Sequence, residues 1–307
     1  MTDKNSIKKW LDKYNIQNYT INDDLTVDVQ GDVQLSRKPI GSIEVQFNHV
    51  HGSFRCEECG LTSLKGSPNY VGGSFNCADN KLTSLEYSPK TIGFNFNCEN
   101  NQITHLRGGP QEIHKDFYCG SNQIESLIGG PTLVKEKYYC PNNKLKSLEG
   151  IVPQVTKLFC DANQLTSLAH CPEVQTDILC SKNKIKSLKG IQQEINGNFF
   201  CDHNELETLE GSPQVVKGSY KANNNPLISI KDLPINVGRD IHFDSTLISI
   251  QDLLDITTLF NGTLQINYNT QLLFTYNEFQ DYKVKLFEQS LQENLVDKPD
   301  MNTKVKL

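Results

Sequence analysis

The sequence predicts a solenoid of stacked parallel β-strands, a β-rich architecture of the α/β class. It should carry a parallel sheet on its concave face, an extended convex side, and a helical cap at each end. Three observations predict it. Eight cysteines, Cys56, Cys77, Cys98, Cys119, Cys140, Cys160, Cys180 and Cys201, are spaced by 21, 21, 21, 21, 20, 20 and 21 residues, and a fixed period of that size marks a repeat architecture. The surrounding residues recur with them, reading F-x-C-x-x-N-x-L-x-x-L. Apolar residues make up 37% of the 307, below the roughly 45–50% of compact chains, which favours a thin, elongated body over a thick core.

Taken in order, residues 1–30 read as an N-terminal cap. Ile7, Trp10, Leu11 and Tyr14 fall at helical spacing, and a hairpin pattern follows from Tyr19 to Val29 around Asn22, Asp23 and Asp24. A cap is needed because the end of a solenoid leaves an apolar rung open to water. Val33, Leu35, Ile40 and Ile43 then fall in the repeat columns, which starts the solenoid at residue 31.

Within each repeat, Phe54, Phe75, Phe96, Phe117, Tyr138, Leu158, Ile178 or Phe199 stands two residues before the cysteine. Side chains alternate along a strand, so this column and the cysteines point into the body and the residues between them point out. Three residues after the cysteine comes Asn, from Asn80 to Asn204, with Cys59 in its place in the first repeat. A short amide there can serve unpaired backbone groups where the strand bends into the loop. Gly and Pro in the return segment oppose a helix, and an aliphatic column from Val71 to Val216 follows them.

Past the last cysteine, Tyr220, Ala222, Asn225, Leu227 and Ile230 continue the pattern. Ile241, Phe243, Leu247 and Ile250 follow with one residue missing, and Leu264 and Ile266 end the solenoid near residue 268. About twelve rungs ~4.8 Å apart give a sheet roughly 55 Å long. Residues 269–307 read as a C-terminal cap. In it Phe279, Tyr282, Leu286, Phe287, Ser290 and Leu291 lie on one side of a helix from about Asn277 to Asn294.

These columns over residues 31–268 resemble the leucine-rich repeat family, and the N-x-L-T-S-L runs at Asn80 to Leu85 and Asn163 to Leu168 are similar to its short repeats of bacteria and their phages. The resemblance implies a curved solenoid with a protein-binding role. It further implies a phage-encoded inhibitor that captures a host defence protein. Some bacterial effectors with this repeat type carry a cysteine-dependent ubiquitin ligase after it. Residues 244–307 hold no cysteine, so that activity is not carried over.

A formal charge of −6 argues against a general nucleic-acid or membrane-surface binder. No apolar run opens the chain as a secretory signal, and no segment approaches transmembrane length, so a cytoplasmic location is expected. Zinc ligands come in close pairs, and the regular cysteine spacing does not. The ladder cysteines read as small core residues, reduced and buried, because Leu35, Ala222 and Phe243 replace them in the outer rungs. Cys59 and Cys171 lie off the ladder and are the thiols expected to be accessible. No metal, cofactor or catalytic constellation is expected, since the seven histidines are scattered and no hydrolase, zincin or phosphate-loop motif occurs. Lys144, Lys146, Lys182, Lys184, Lys186 and Lys189 line one edge and read as a solvated face.

The outward column just before each cysteine is the informative one. It runs Arg55, Asn76, Asn97, then Tyr118, Tyr139, Phe159, Leu179 and Phe200, then Lys221 and His242. The next outward column is small or acidic, with Glu99, Asp161 and Asp202 among its members. A cross-strand stabilising ladder would explain aromatics anywhere, but not their confinement to the five middle rungs. Contiguous exposed apolar groups mark interaction sites. The expected partner-binding residues are therefore Tyr118, Tyr139, Phe159, Leu179 and Phe200, bordered by Glu99, Asp161 and Asp202. A surface or virion adhesin and an enzyme's regulatory subunit are the alternative readings.

Overall fold

The computed structural model of the chain describes residues 3–244, 248–268 and 270–296. Helix α1 (Lys4–Lys13) opens it, with the Asp3 carboxylate accepting from the Ser6 N–H as its N-cap. An antiparallel hairpin, Tyr19–Ile21 with Thr26–Val29, follows. Twelve parallel strands from Val33–Gln34 to Leu264–Tyr268 then stack in strict succession, and a thirteenth, Thr270–Phe274, turns back antiparallel at the end. Between the last rungs lies the short helix α2 (Ile250–Leu254), and helix α3 (Tyr276–Val296) closes the molecule. This is a parallel β-solenoid, capped by a helix at each end.

Register follows from the columns. Phe54 pairs with Phe75, Phe75 with Phe96 and Phe96 with Phe117, so like residues stack on like. The inward rings lie 5.3, 5.7 and 5.7 Å apart in those three steps. All eight ladder cysteines are buried. Their thiols do not face one another; Cys77, Cys98, Cys140 and Cys160 each donate to a carbonyl of the next strand at 3.4 Å. Burial pushes every ladder thiol well above its ordinary pKa, which keeps them protonated and unreactive.

Two residues past each ladder cysteine, and past Ala222 in the next rung, the backbone enters the left-handed region, with φ between 51° and 56° at Glu58, Asp79, Asn100, Ser121, Asn142, Ala162, Lys182, His203 and Asn224. This turn ends the strand and leaves backbone groups that no neighbouring strand serves. The asparagines serve them. Asn122 Oδ1 accepts from the Ile103 N–H at 3.0 Å while its amide donates to the Cys98, Cys119 and Gly120 carbonyls, and the same set recurs from rung to rung. In the first rung, where Cys59 replaces Asn, its thiol donates to the Leu35 and Glu57 carbonyls. Cys59 is therefore buried, contrary to the accessibility expected of it, because it stands in for the amide as a donor. Cys171 alone is half-exposed.

The convex side is extended as expected, yet more regular. The aliphatic column forms parallel two-residue strands of its own, such as Tyr70–Val71, Thr91–Ile92 and Glu112–Ile113, in three further sheets. Glycine lets these strands approach the preceding turns: a Cβ on Gly93 would lie 2.0 Å from the Gly72 carbonyl oxygen.

At the N-terminal end Ile7, Trp10 and Leu11 are buried, and Trp10 meets Phe47, which in turn meets Phe54 at 5.2 Å. The cap thus extends the aromatic stack of the core. At the other end the pattern breaks down. Leu247 lies outside the described residues, and Ile250 is not a core residue: it opens α2 and is 47% exposed, while Ile248 is buried in its place. In α3, Phe279 and Leu286 are buried and Tyr282 packs on Phe274, but Phe287 and Leu291 are about half exposed. The six residues expected on one side therefore divide between two faces, because the arc from Phe279 to Leu291 is wider than one packing contact.

Candidate functional site

Each strand of the long sheet shows its outer face through three columns, three residues before, one before and one after the cysteine. The middle column is the aromatic stripe. Parallel register sets Tyr118 beside Tyr139, Tyr139 beside Phe159, Phe159 beside Leu179 and Leu179 beside Phe200. Ring centroids are 5.7 Å apart for Tyr118–Tyr139 and 5.6 Å for Tyr139–Phe159. All five side chains are half-buried, since each is covered on two sides by its neighbours and open on the third. The neighbouring rings lie against one another and each side chain remains partly accessible.

The column after the cysteine brings Asp161, Ser181 and Asp202 together. The Ser181 N–H donates to Asp161 Oδ1 at 3.0 Å and the Ser181 hydroxyl to Asp202 Oδ1 at 2.6 Å. Asp202 Oδ2 holds His203 Nδ1 at 2.8 Å. Burial, with Asp202 nearby, pushes the Asp161 carboxyl up to about 6. Glu99 lies three rungs away from Asp161 in the same column, apart from this group, and its carboxyl is raised by burial and by the Asp79 charge. Between them stand Gly120 and Pro141, both buried; a Cβ on Gly120 would lie 3.0 Å from the Tyr139 ring and 3.1 Å from Glu99 Oε1.

The third column was not singled out from the sequence, and it holds the other flank. Asp116 accepts the Tyr118 hydroxyl at 2.7 Å, and Lys137 Nζ donates to the same hydroxyl oxygen at 3.2 Å. Lys137 also lies 5.1 Å from the Tyr118 ring centroid and 5.9 Å from that of Phe159. Lys157 pairs with Asp177 at 2.8 Å, and Lys221 sits 4.5 Å over Phe200. A signal was there to find: this column is Ser, Asn or Asp at most rungs and Lys at two central ones, 137 and 157. Where it is short, each side chain accepts the backbone N–H of the next rung, as Ser53 does for Ser74 and Asn198 for Ser219.

The face therefore combines an apolar strip, one flank whose charges are paired with each other, and one flank whose carboxylates have no Lys or Arg ion-pair partner among the described residues. Such a surface can bind. The lysine edge is exposed and partly neutralised, with Lys189 on Glu210 at 2.7 Å and Lys186 on Glu205 at 3.6 Å. Among the described residues no group of three or more His, Cys, Asp or Glu side chains could hold a metal ion, and no helix is long and apolar enough to cross a membrane.

No family model matches the sequence, and no curated protein matches it. Among solved structures, the chain is similar to YopM from Yersinia enterocolitica WA-314, at 16% identity and a TM-score of 0.42. The match covers 76% of this chain and 65% of that one, less than two thirds of its length.

Proposed function

We propose that this chain is a non-catalytic protein-binding module that captures a partner protein on the outer face of its long sheet. The stripe Tyr118, Tyr139, Phe159, Leu179 and Phe200 supplies the centre of the contact, and Glu99, Asp161 and Asp202 its polar border. The observation that carries this reading is the confinement of large apolar side chains to five successive rungs of a face that is polar on either side of them. Rigid aromatics near the centre of a contact are where binding energy concentrates, and five half-exposed groups of this size are enough for the middle of a standard interface. The buried thiol ladder is suited to a reducing compartment, which supports a cytoplasmic site of action. Sequestration of a host defence protein by a phage-encoded binder is the form of this function that the short-repeat resemblance favours.

A triple replacement, Tyr139→Ser, Phe159→Ser and Phe200→Ser, tests it. Circular dichroism should report an intact fold, and capture of the partner from the native host should be lost. Retained capture together with lowered stability would make the stripe a structural ladder and move the binding site elsewhere.

A further inference from the structure

Of the four rings in the stripe, three already carry a cation from this chain. Lys137 lies over Tyr118 and Phe159, and Lys221 over Phe200. Tyr139 has none among the described residues, although it stands between two rings that do. What it has beside it is a carboxylate. The Glu99 side chain and the edge of the Tyr139 ring both close over Gly120, and after burial the Glu99 charge is the largest cause that pushes the Tyr139 hydroxyl up.

Glu99 is also the near end of an acidic stretch. Asp79 raises it, second to burial, and Glu57 stands two rungs back in the same column, where its Oε2 is buried with no hydrogen-bond partner among the described residues. None of the three is within ion-pair distance of a Lys or Arg among those residues. Arg55, in the same rung as Glu57, is exposed and pairs with none of them. Lys137 acts on Glu99 from the opposite flank, but Asp116 and the Tyr118 hydroxyl hold it there. Carboxylates drawn out of water without a cation are costly to a fold, and nothing inside the chain offsets that cost.

We propose that the partner of this face lays an arginine over the Tyr139 ring and against Glu99, beside the apolar residues that meet the rest of the stripe. The proposal rests on the stripe being the binding face. Charge complementarity selects the occupant: one open ring and one unpaired carboxylate meet at one point, with two more negative charges behind them. Arginine fits better than lysine, because a planar guanidinium can stack on a ring and still present two parallel N–H groups to a carboxylate. The partner is thus a protein segment with a basic residue at one end of an apolar run, and it is oriented with that end toward the first rungs.

Selection of peptides of about 12 residues from a random library, long enough at ~3.3 Å per residue to cross the stripe, tests it on the immobilised full chain. Peptides that lose binding to the Phe159→Ser, Phe200→Ser variant report on the stripe, and these should share an arginine beside apolar residues. Replacing that arginine with uncharged citrulline should weaken binding about tenfold, or ~1.4 kcal/mol, and lysine should recover part of the loss. Glu99→Gln should weaken the arginine peptide by a similar factor and leave the citrulline peptide unchanged, which is the coupling that a direct contact gives in a double-mutant cycle. Glu125→Gln with Glu149→Gln, two exposed carboxylates away from the face, should change neither. Stripe-dependent peptides that share no arginine, or a cycle without coupling, overturn the proposal and leave the stripe as the binding face. A selection that yields no stripe-dependent peptide removes the reading beneath it, and the proposal with it.

Discussion

Replacing Asn143 with Ala should cost about 3 kcal/mol, and the figure follows from counting which groups lose their only partner. Asn143 is buried, its Oδ1 accepts from the Ile124 N–H at 3.0 Å, and its amide donates to the Cys119, Cys140 and Pro141 carbonyls. Each of those carbonyls has a second donor. Cys119 O is also reached by Asn122, Cys140 O by Asn163, and Pro141 O by the Ser121 N–H. The Ile124 N–H has no second acceptor among the described residues. Orphaning one buried N–H costs about 1–3 kcal/mol, and three bonds lost from doubly served carbonyls add a fraction of about 1 kcal/mol each. With a urea m-value near 3 kcal/mol/M, the midpoint should fall by about 1 M. Hydrogen exchange should show the Ile124 amide losing protection first, since solenoid interactions are local. Asn143→Asp sharpens the test. It keeps an acceptor for Ile124 but sets a buried carboxylate against three carbonyl oxygens, so at neutral pH it should be worse than Ala. Its folded-state pKa would then lie above the unfolded value of about 3.9, so its deficit should shrink as the pH is lowered and grow as it rises. An Ala variant within about 1 kcal/mol of the parent, or an Asp variant as stable as Asn at neutral pH, would refute the ladder's role.

Three further outcomes are expected. Ala162 holds a φ of 51°, so Ala162→Gly should raise stability by about 0.5–1 kcal/mol in chemical denaturation, since relief of left-handed strain outweighs the entropy of glycine; a loss would mean that the strain is not carried there. The Tyr138 hydroxyl is buried with no hydrogen-bond partner among the described residues, whereas that of Tyr220 meets Ser212 Oγ at 2.9 Å. Tyr138→Phe should therefore be neutral or stabilising by about 1 kcal/mol and Tyr220→Phe destabilising by a similar amount, and melting curves that rank them the other way would contradict this. Asp161, raised to about 6 by burial, favours its protonated form in the folded chain, so its contribution to stability falls as the pH rises from about 4 through 6. Asp161→Asn keeps the acceptor for Ser181 and should gain about 1–2 kcal/mol above pH 6, after allowance for solvent screening, and little at pH 4; an equal gain at both pH values would point to packing instead.

The sequence by itself determined the repeat, the direction each column faces and the rung at which the stripe begins and ends. A strand has a period of two and this chain a period of 20 or 21, so counting from Cys56 to Cys201 assigns every side chain to core or surface without a fold in hand. The eight ladder cysteines and the asparagines stand where that count puts them. What escaped it depends on contacts between rungs. The burial of Cys59 follows from carbonyls on either side of it, one of them in the preceding strand at Leu35, and its position in the repeat records nothing of them. The placement of Lys137 over Tyr118 and Phe159 is decided by a long side chain crossing to the next rung. Ile250 matches its column by count, but past the last cysteine the period slips and α2 begins there. Asp161 and Asp202 were legible as acidic neighbours of the stripe. That Ser181 ties them together and that burial raises Asp161 was not legible, because desolvation is a property of everything packed around a group and appears only when the strands lie side by side.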